Sequence, residues 1–279
     1  MTLAPLQGPA SRYGVGPPTF ALIDAVLGAS RHEYLRRLKA FLSHADDLAR
    51  ISVKPDGQAR PCWDNRYFFG LDAVALYGTL VEAAPRRYLE VGSGYSTLFA
   101  RQAIVDHDLP TRITSIDPEP RTSVDVACDE VIRAPVQGVP IGSFANLEAG
   151  DVLFIDSSHI AGIGSDVAFL FLDVIPRLRP GVLVHIHDVF LPWDYRPDWI
   201  DLGYSEQYLI GAQLLAPSPP FEVILPAFYV HLDPDLSSVL QPLWTRLGLT
   251  DYYQDPLGLP RYATAGHSMW LRTVSPAGT

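Results

Sequence analysis

Cysteine is scarce: only Cys62 and Cys128 occur in 279 residues. They lie far apart and form no CxxC pair, which excludes a disulfide framework and a zinc knuckle. Basic runs are also missing. Lys and Arg total 21 against 31 Asp and Glu, giving a formal charge of −10. No basic stretch carries interleaved aromatics, so no nucleic-acid partner is expected. No apolar run reaches about 18 residues, so no membrane span is expected. The opening "MTLAPLQGPASRYG" lacks the basic-then-apolar order of a signal peptide. The expectation is a cytoplasmic protein. Internal repeats and low-complexity segments are absent as well.

What remains is an ordinary globular composition, 48% hydrophobic and 19% charged, sufficient for one large domain or two small ones. Residues 1–18, rich in Pro, Gly and Ala, read as a loose arm. In "PTFALIDAVLGASRHEYLRRLKAFLSHADDLARI" the apolar Leu35, Leu38, Phe41 and Leu42 recur at helical spacing, which predicts one or two amphipathic helices. "YFFGLDAVALYGTLVEAA" predicts another helix, ending at Pro85. The chain then alternates. "RYLEVG", "RITSID", "EVIRAP", "DVLFID" and "GVLVHIHDV" read as strands; "STLFARQAIVDH", "EPRTSVDVACD" and "SDVAFLFLDVIPRLR" read as helices between them. In the tail, "FEVILPAFYV" and "HSMWLRTV" are strands, and "SEQYLIGAQLLA" and "LSSVLQPLWTRL" are helices. Apolar strands alternating with helices predict a doubly wound α/β fold with a mainly parallel seven-stranded sheet, the last strand inserting antiparallel.

In such a sheet ligands bind beyond the carboxyl ends of the strands. "YLEVGSGYSTLFA" lies at one such end. Gly92 and Gly94 permit positive φ and close backbone approach, and Ser96 or Thr97 can cap the following helix. A dinucleotide turn carries GxGxxG, but here Thr97 stands at the third glycine. Glu90, two residues before the first glycine, would repel a pyrophosphate and suit a cationic ligand. Asp117, ending "SID", is placed to accept both hydroxyls of a ribose. The ligand described has a ribose and a positive charge.

These residues carry a resemblance. "EVGSGYST" followed by "SIDPEP" resembles the first two motifs of class I S-adenosylmethionine (SAM)-dependent methyltransferases. "WDNRYFFGLDAVALYGTL", "DVLFIDSSH", "PRLRPGVLVHIHDVFLPWDY", "SEQYL" and "GHSMWLR" extend it, over roughly residues 45–275, to the bacterial Methyltransferase-24 type. The resemblance implies a Rossmann-like class I fold with an N-terminal helical extension. It divides the chain into residues 1–60, the arm and extension, and residues 61–279, the methyltransferase domain. It implies that Glu90, Gly92, Ser93, Gly94 and Ser96 hold the methionine end of SAM and that Asp117 holds the ribose. Asn65, in "WDN", and Asp156 are placed near the cofactor.

A second constellation follows. "DVLFID" ends in Asp156, Ser157, Ser158 and His159; "GVLVHIHD" ends in His185, His187 and Asp188. Strand alternation puts both histidines of the latter on one face and Asp188 on the other. Two readings stand. In one, Asp156 and Asp188 bind a divalent cation such as Mg²⁺, a spacing similar to metal-dependent O-methyltransferases of the catechol type, although Val189 replaces the Asn of that pattern. In the other, His159 or His187 is the general base, with Asp156 or Asp188 fixing its tautomer.

The aromatic segment "VFLPWDYRPDWIDLGYSEQYL" either walls a substrate pocket, with Asp194, Asp198, Asp201, Glu206 and Gln207 nearby, or covers the sheet edge or joins copies into a homo-oligomer. The expected activity is methyl transfer from SAM to an oxygen, or less readily a nitrogen, of a small-molecule acceptor. The alternatives are a nucleotide-dependent oxidoreductase and a SAM-binding protein that transfers no methyl.

Overall fold

Tyr34, Leu38 and Phe41 fall on one stripe of a helix because their spacing matches its 3.6-residue period. In the structure, a computed structural model, all three are fully buried. The structure describes residues 19–120, 123–249 and 264–275 and, of residues 197 and 198, the backbone alone. The arm expected over residues 1–18 lies outside them. The extension is three helices: α1 (Ala21–Gly28), α2 (Arg31–Leu42) and α3 (Ala45–Leu48). Burying Leu38 and Phe41 contributes about 1.5–3 kcal/mol each.

Helix α4 (Gly70–Ala83) is apolar and buried on every side from Gly70 to Leu80. It is shared, lying between the sheet and α2 in one continuous core. Close packing needs Gly78, where a β-carbon would stand 2.1 Å from the Phe41 ring. The helix ends where Ala84 turns left-handed, immediately before Pro85.

The sheet follows: β1 (Arg87–Val91), helix α5 (Tyr95–His107), β2 (Arg112–Ile116), β3 (Glu130–Ile132), the short helix α6 (Gly142–Ala145) and β4 (Val152–Ile155). Next come α7 (Asp166–Phe169), β5 (Leu183–Ile186), α8 (Glu206–Leu214), β6 (Phe221–Pro226), α9 (Ala227–Leu232), α10 (Pro234–Ser237), α11 (Gln241–Leu247) and β7 (Met269–Thr273). The strand order is β3-β2-β1-β4-β5-β7-β6. The first five strands are parallel, and β7 runs antiparallel between β5 and β6. This is the doubly wound, mainly parallel seven-stranded sheet that the alternation of apolar strands and helices predicts, with the last strand antiparallel. β4 and β5 are fully buried because both sheet faces are covered, which explains their unbroken apolar runs.

Three expected elements differ. The described residues of "EPRTSVDVACD" form only a 3₁₀ turn, Asp125–Ala127; Pro118, Pro120 and the β-branched Val124 and Val126 disfavour a helix. The helix expected across "SDVAFLFLDVIPRLR" starts as α7 and is capped by Ser165, whose hydroxyl accepts from the Ala168 N–H at 3.1 Å. It then loosens into a π turn (Leu170–Val174) and closes as 3₁₀ (Ile175–Arg177), because Pro176 lacks a donor. The strand in "FEVILPAFYV" stops at Pro226, and the rest is α9.

Candidate active site

β1 lies between β2 and β4, so connections leave it in opposite directions and a crevice opens at its carboxyl end. Gly92 makes the turn at φ +80°, and a β-carbon there would stand 1.8 Å from the Asp156 carbonyl oxygen. Only glycine lets the β1 turn touch the end of β4. At Gly94 a β-carbon would meet nothing within 4 Å, because that position faces the open cleft. Asp117, at the end of β2, locks the turn from the other side. One carboxylate oxygen accepts from the Ser93 N–H at 2.7 Å, the other from the Glu119 N–H at 2.8 Å. A carboxylate offers about four acceptor positions, so Asp117 keeps capacity toward the cleft it lines.

Glu90 is fully buried and does not line the cleft. It accepts hydrogen bonds from the Tyr88 hydroxyl at 3.0 Å and from the Thr97 hydroxyl. Thr97 in turn accepts from the Gly94 N–H at 3.1 Å. The residue standing at the third glycine position therefore ties the acid to the turn. Burial pushes the Glu90 carboxyl up to about 7, against the stabilising hydroxyls of Ser96, Thr97 and Tyr88. The expected direct approach of this carboxylate to a cationic ligand is not what the geometry shows; Glu90 holds the turn from behind.

Asn65 behaves alike. Its amide nitrogen donates to the Cys62 and Phe68 carbonyls at 2.6 Å each, and its oxygen accepts from the N–H groups of Tyr67 and Phe68. Every polar atom of its side chain shapes the loop, and its neighbours Arg66, Tyr67 and Phe68 line the cleft instead.

The ends of β4 and β5 are built from charge. His159 Nδ1 lies 2.9 Å from Glu206, and its Nε2 lies 3.2 Å from Asp156 and 3.5 Å from Asp188. His187 Nδ1 lies 3.3 Å from Asp188 and 3.7 Å from Asp156, and its Nε2 faces Asp72 at 3.5 Å. Simple alternation predicts His187 and Asp188 on opposite faces. The structure brings them together because Asp188 turns left-handed at φ +55°; His159 does the same at +59°. Non-glycine residues in that region carry strain of order 1 kcal/mol or more, a feature that clusters at functional sites.

Burial alone would lower the basicity of both histidines. For His187 the carboxylates Asp156, Asp188 and Asp72 reverse that and raise it to about 10. For His159, Asp156, Glu206 and Asp188 hold the pKa well above its ordinary value. Asp156, pushed up by burial, is drawn below the ordinary range by His187 and His159. Asp188 and Glu206 stay raised, chiefly by burial. His185 is different: burial lowers it to about 3, it stacks on Phe154 at 3.9 Å, and its Nε2 meets the Ser268 hydroxyl at 2.7 Å. It is a neutral core residue.

Both regions line one cleft of about 910 Å³. Its far end is aromatic. Trp193, Trp199 and Tyr204 from the segment after β5 line it with Phe190, Phe228 and His267. Tyr204 packs on His159 at 4.7 Å and Trp199 on Tyr204 at 5.4 Å. Asp194 lines the cleft and Asp201 is exposed; the Asp198 side chain lies outside the described residues. Glu206 is buried against His159. Gln207, buried in α8, accepts from the Phe190 N–H at 2.8 Å and so anchors the start of this wall.

Sequence reasoning missed Asp72. It is buried in α4, where it accepts from the N–H groups of His267 and Ser268 at 2.8–3.0 Å and faces His187. The available signal was an acid alone inside the apolar run "FGLDAVALYG". Asp156, His159 and Asp188 offer ligand atoms within 4.8 Å of one another, a set that could hold a metal ion.

Residues 89–189 match a family model described as a methyltransferase domain, Methyltransf_24. That span runs from β1 to just past β5 and contains the glycine turn, Asp117 and both strand ends, so the resemblance read from the motifs is borne out over these residues. No curated protein matches the chain. Among solved structures, an SAH-bound methyltransferase from Podospora anserina aligns at 18% identity, covering 85% of this chain and 88% of its own, with a TM-score of 0.43. A putative O-methyltransferase from Klebsiella pneumoniae aligns at 14% identity over 87% and 90%, with a TM-score of 0.42. An O-methyltransferase from Bacillus cereus in complex with SAH aligns at 15% identity over 92% and 100%, with a TM-score of 0.40.

Proposed function

We propose that this chain, which carries a methyltransferase domain over residues 89–189, moves a methyl group from SAM to an oxygen of a small-molecule acceptor. One observation carries the reading. A glycine turn flanked by a ribose-competent carboxylate opens, within a single cleft, onto an acid–histidine cluster and an aromatic wall. In this reading residues 61–279 form the catalytic domain and residues 1–60 its extension.

Asp117 takes the ribose hydroxyls. Gly92, Ser93, Gly94 and Ser96 hold the methionine end, with Glu90 and Asn65 fixing the backbone behind them and Asp156 at the boundary with the acceptor. The residues fit the cofactor because Gly94 leaves its side of the turn open. SAM, when bound, would offer the electrophilic methyl on its positively charged sulfur to an acceptor oxygen freed of its proton, the sulfur departing as a neutral thioether. The chain's work is positioning and proton removal.

His159 or His187 removes that proton in the metal-free form, with Asp156 or Asp188 fixing its tautomer. Held protonated by their carboxylates, they act as bases only after shedding a proton, and a cationic cofactor alongside favours that loss. The aromatic wall of Trp193, Trp199 and Tyr204 suits a flat, partly apolar acceptor.

A second reading has its own observation. Four carboxylates, Asp72, Asp156, Asp188 and Glu206, surround two histidines, leaving excess negative charge even when both are protonated. A divalent cation such as Mg²⁺ held by Asp156 and Asp188, with His159, would neutralise it and acidify the acceptor hydroxyl.

Incubation with methyl-labelled SAM and a panel of phenols and amines tests the proposal. Label on a phenolic oxygen is expected; label on amines alone would overturn the oxygen assignment. Repeating the assay in chelator separates the readings. Unchanged turnover leaves the histidines as sole bases, and loss restored by Mg²⁺ establishes the cation.

A further inference from the structure

A second cluster lies away from the cleft, where the N-terminal helices meet the body. His44 immediately precedes α3, Asp47 sits within it, and His107 ends α5. Positions i and i+3 of one helical turn share a face, so His44 and Asp47 both point toward α5. Their ligand atoms and that of His107 lie within 4.8 Å of one another. All three are half-buried.

The spacing has a specific meaning. Zinc bonds of about 2.0–2.1 Å in a tetrahedron set ligand atoms about 3.3–3.4 Å apart. His107 Nε2 and Asp47 Oδ2 already stand 3.4 Å apart. The His44 and His107 imidazoles meet edge to face at 5.2 Å between centroids, and a ligand atom of His44 lies within 4.8 Å of those of Asp47 and His107. The surroundings orient the ligands. The other oxygen of Asp47 accepts from Arg50 at 2.6 Å. Tyr77 donates to Asp106 at 2.8 Å and so accepts from His107 Nε2 at 3.1 Å; a metal taking that nitrogen replaces this hydrogen bond and moves the imidazole proton to Nδ1. Arg50, on the Asp47 oxygen that faces away from His107, is an outer partner of the kind that fixes a metal ligand in place. The Arg50 guanidinium opposes a cation, but its side chain is 62% exposed and screened by water and salt.

Two imidazoles and one carboxylate favour zinc-like transition metals over Mg²⁺ or Ca²⁺, which prefer all-oxygen sites. We propose that His44, Asp47 and His107 form a transition-metal site that clips the N-terminal helices to α5, with solvent completing the coordination. Each neutral imidazole keeps its proton on one ring nitrogen and offers the other to the metal. Because the ligands come from α3 with its preceding residue and from α5, the site exists only in the folded chain, and metal binding stabilises that state. This site shares no residue with the cleft, so it stands whether or not the methyltransferase reading does.

The test uses the untagged full-length chain, stripped with EDTA and titrated with ZnCl₂ while thermal unfolding is followed. At about a hundredfold excess over the dissociation constant, Tm should rise by about 5 °C. Co²⁺ in place of Zn²⁺ should give the visible absorption of a four-coordinate ion. The rise should vanish in His44→Ala and His107→Ala, and in the milder His44→Gln if the alanine variants fold poorly. It should persist in Asp156→Asn/Asp188→Asn, which removes the strand-end cluster as a competing site. No rise in the wild type, or a rise that survives both histidine substitutions, would overturn the proposal.

Discussion

At the turn after β1 nearly every polar group has a short-range partner. Thr97 bridges Glu90 and Gly94, Asp117 accepts from two backbone N–H groups, and Tyr88 closes on Glu90. About one strand away, at the ends of β4 and β5, charge takes over. Four carboxylates crowd two histidines, and His159 and Asp188 hold left-handed backbones. Under the proposed function the first region is a fixed frame for the cofactor. The second stores unbalanced charge and strain, the condition for moving a proton. A binding frame and a reacting centre are thus told apart by how their polar groups are satisfied.

That contrast can be broken most forcefully at Asp188. Asp188→Asn removes a charge facing both histidines without touching the turn. Turnover should fall about 10²–10⁴-fold, the scale of general acid–base catalysis, while SAM affinity measured by calorimetry stays within about threefold. Gly92→Ala attacks the point where the regions touch. With its β-carbon 1.8 Å from the Asp156 carbonyl, the variant should lose about 2–4 kcal/mol in urea unfolding, and binding and turnover should fall together. A smaller effect separates them at Glu90. Its carboxyl is raised from 4.5 to about 7, so the folded state binds the extra proton between those values. Wild-type stability should therefore decline relative to Glu90→Gln as pH rises from about 4.5 to about 7, by up to about 3 kcal/mol, and level off above. Parallel stability curves across that range would show that Glu90 is not held as described.

The frame was more legible in the sequence than the reacting centre. Glycines, a strand-ending acid and apolar runs act locally, so the apolar runs disclosed a mainly parallel sheet and "EVGSGYST" and "SID" its ligand turn, while the strand order came only with the structure. The role of Thr97 was not readable, because its partner Glu90 lies seven residues back and is reached only once the strand turns. Asp156, His159, His187 and Asp188 were visible as polar strand ends, but the left-handed φ of Asp188, which brings it to the histidines, has no signature in the residue type. Asp72 and Glu206 come from helices; Asp72 lies more than 100 residues before its partner His187 and Glu206 lies 47 residues after its partner His159, so only the tertiary fold makes them neighbours. The helix after α7 breaks at Pro176 and β6 ends at Pro226, although each run reads as one unbroken element in the sequence.

The most direct test is calorimetric titration of SAM into the wild type, Asp117→Ala and Asp188→Asn, with NAD as the comparison ligand. The wild type should bind SAM at one site and NAD not at all. Asp117→Ala should lose about 1.5–3 kcal/mol of that binding, the scale of a hydrogen bond to a charged group, and Asp188→Asn should bind as the wild type does. NAD binding without SAM binding, or an Asp117→Ala variant with unchanged SAM affinity, would contradict the assignment of the β1 turn to a SAM frame.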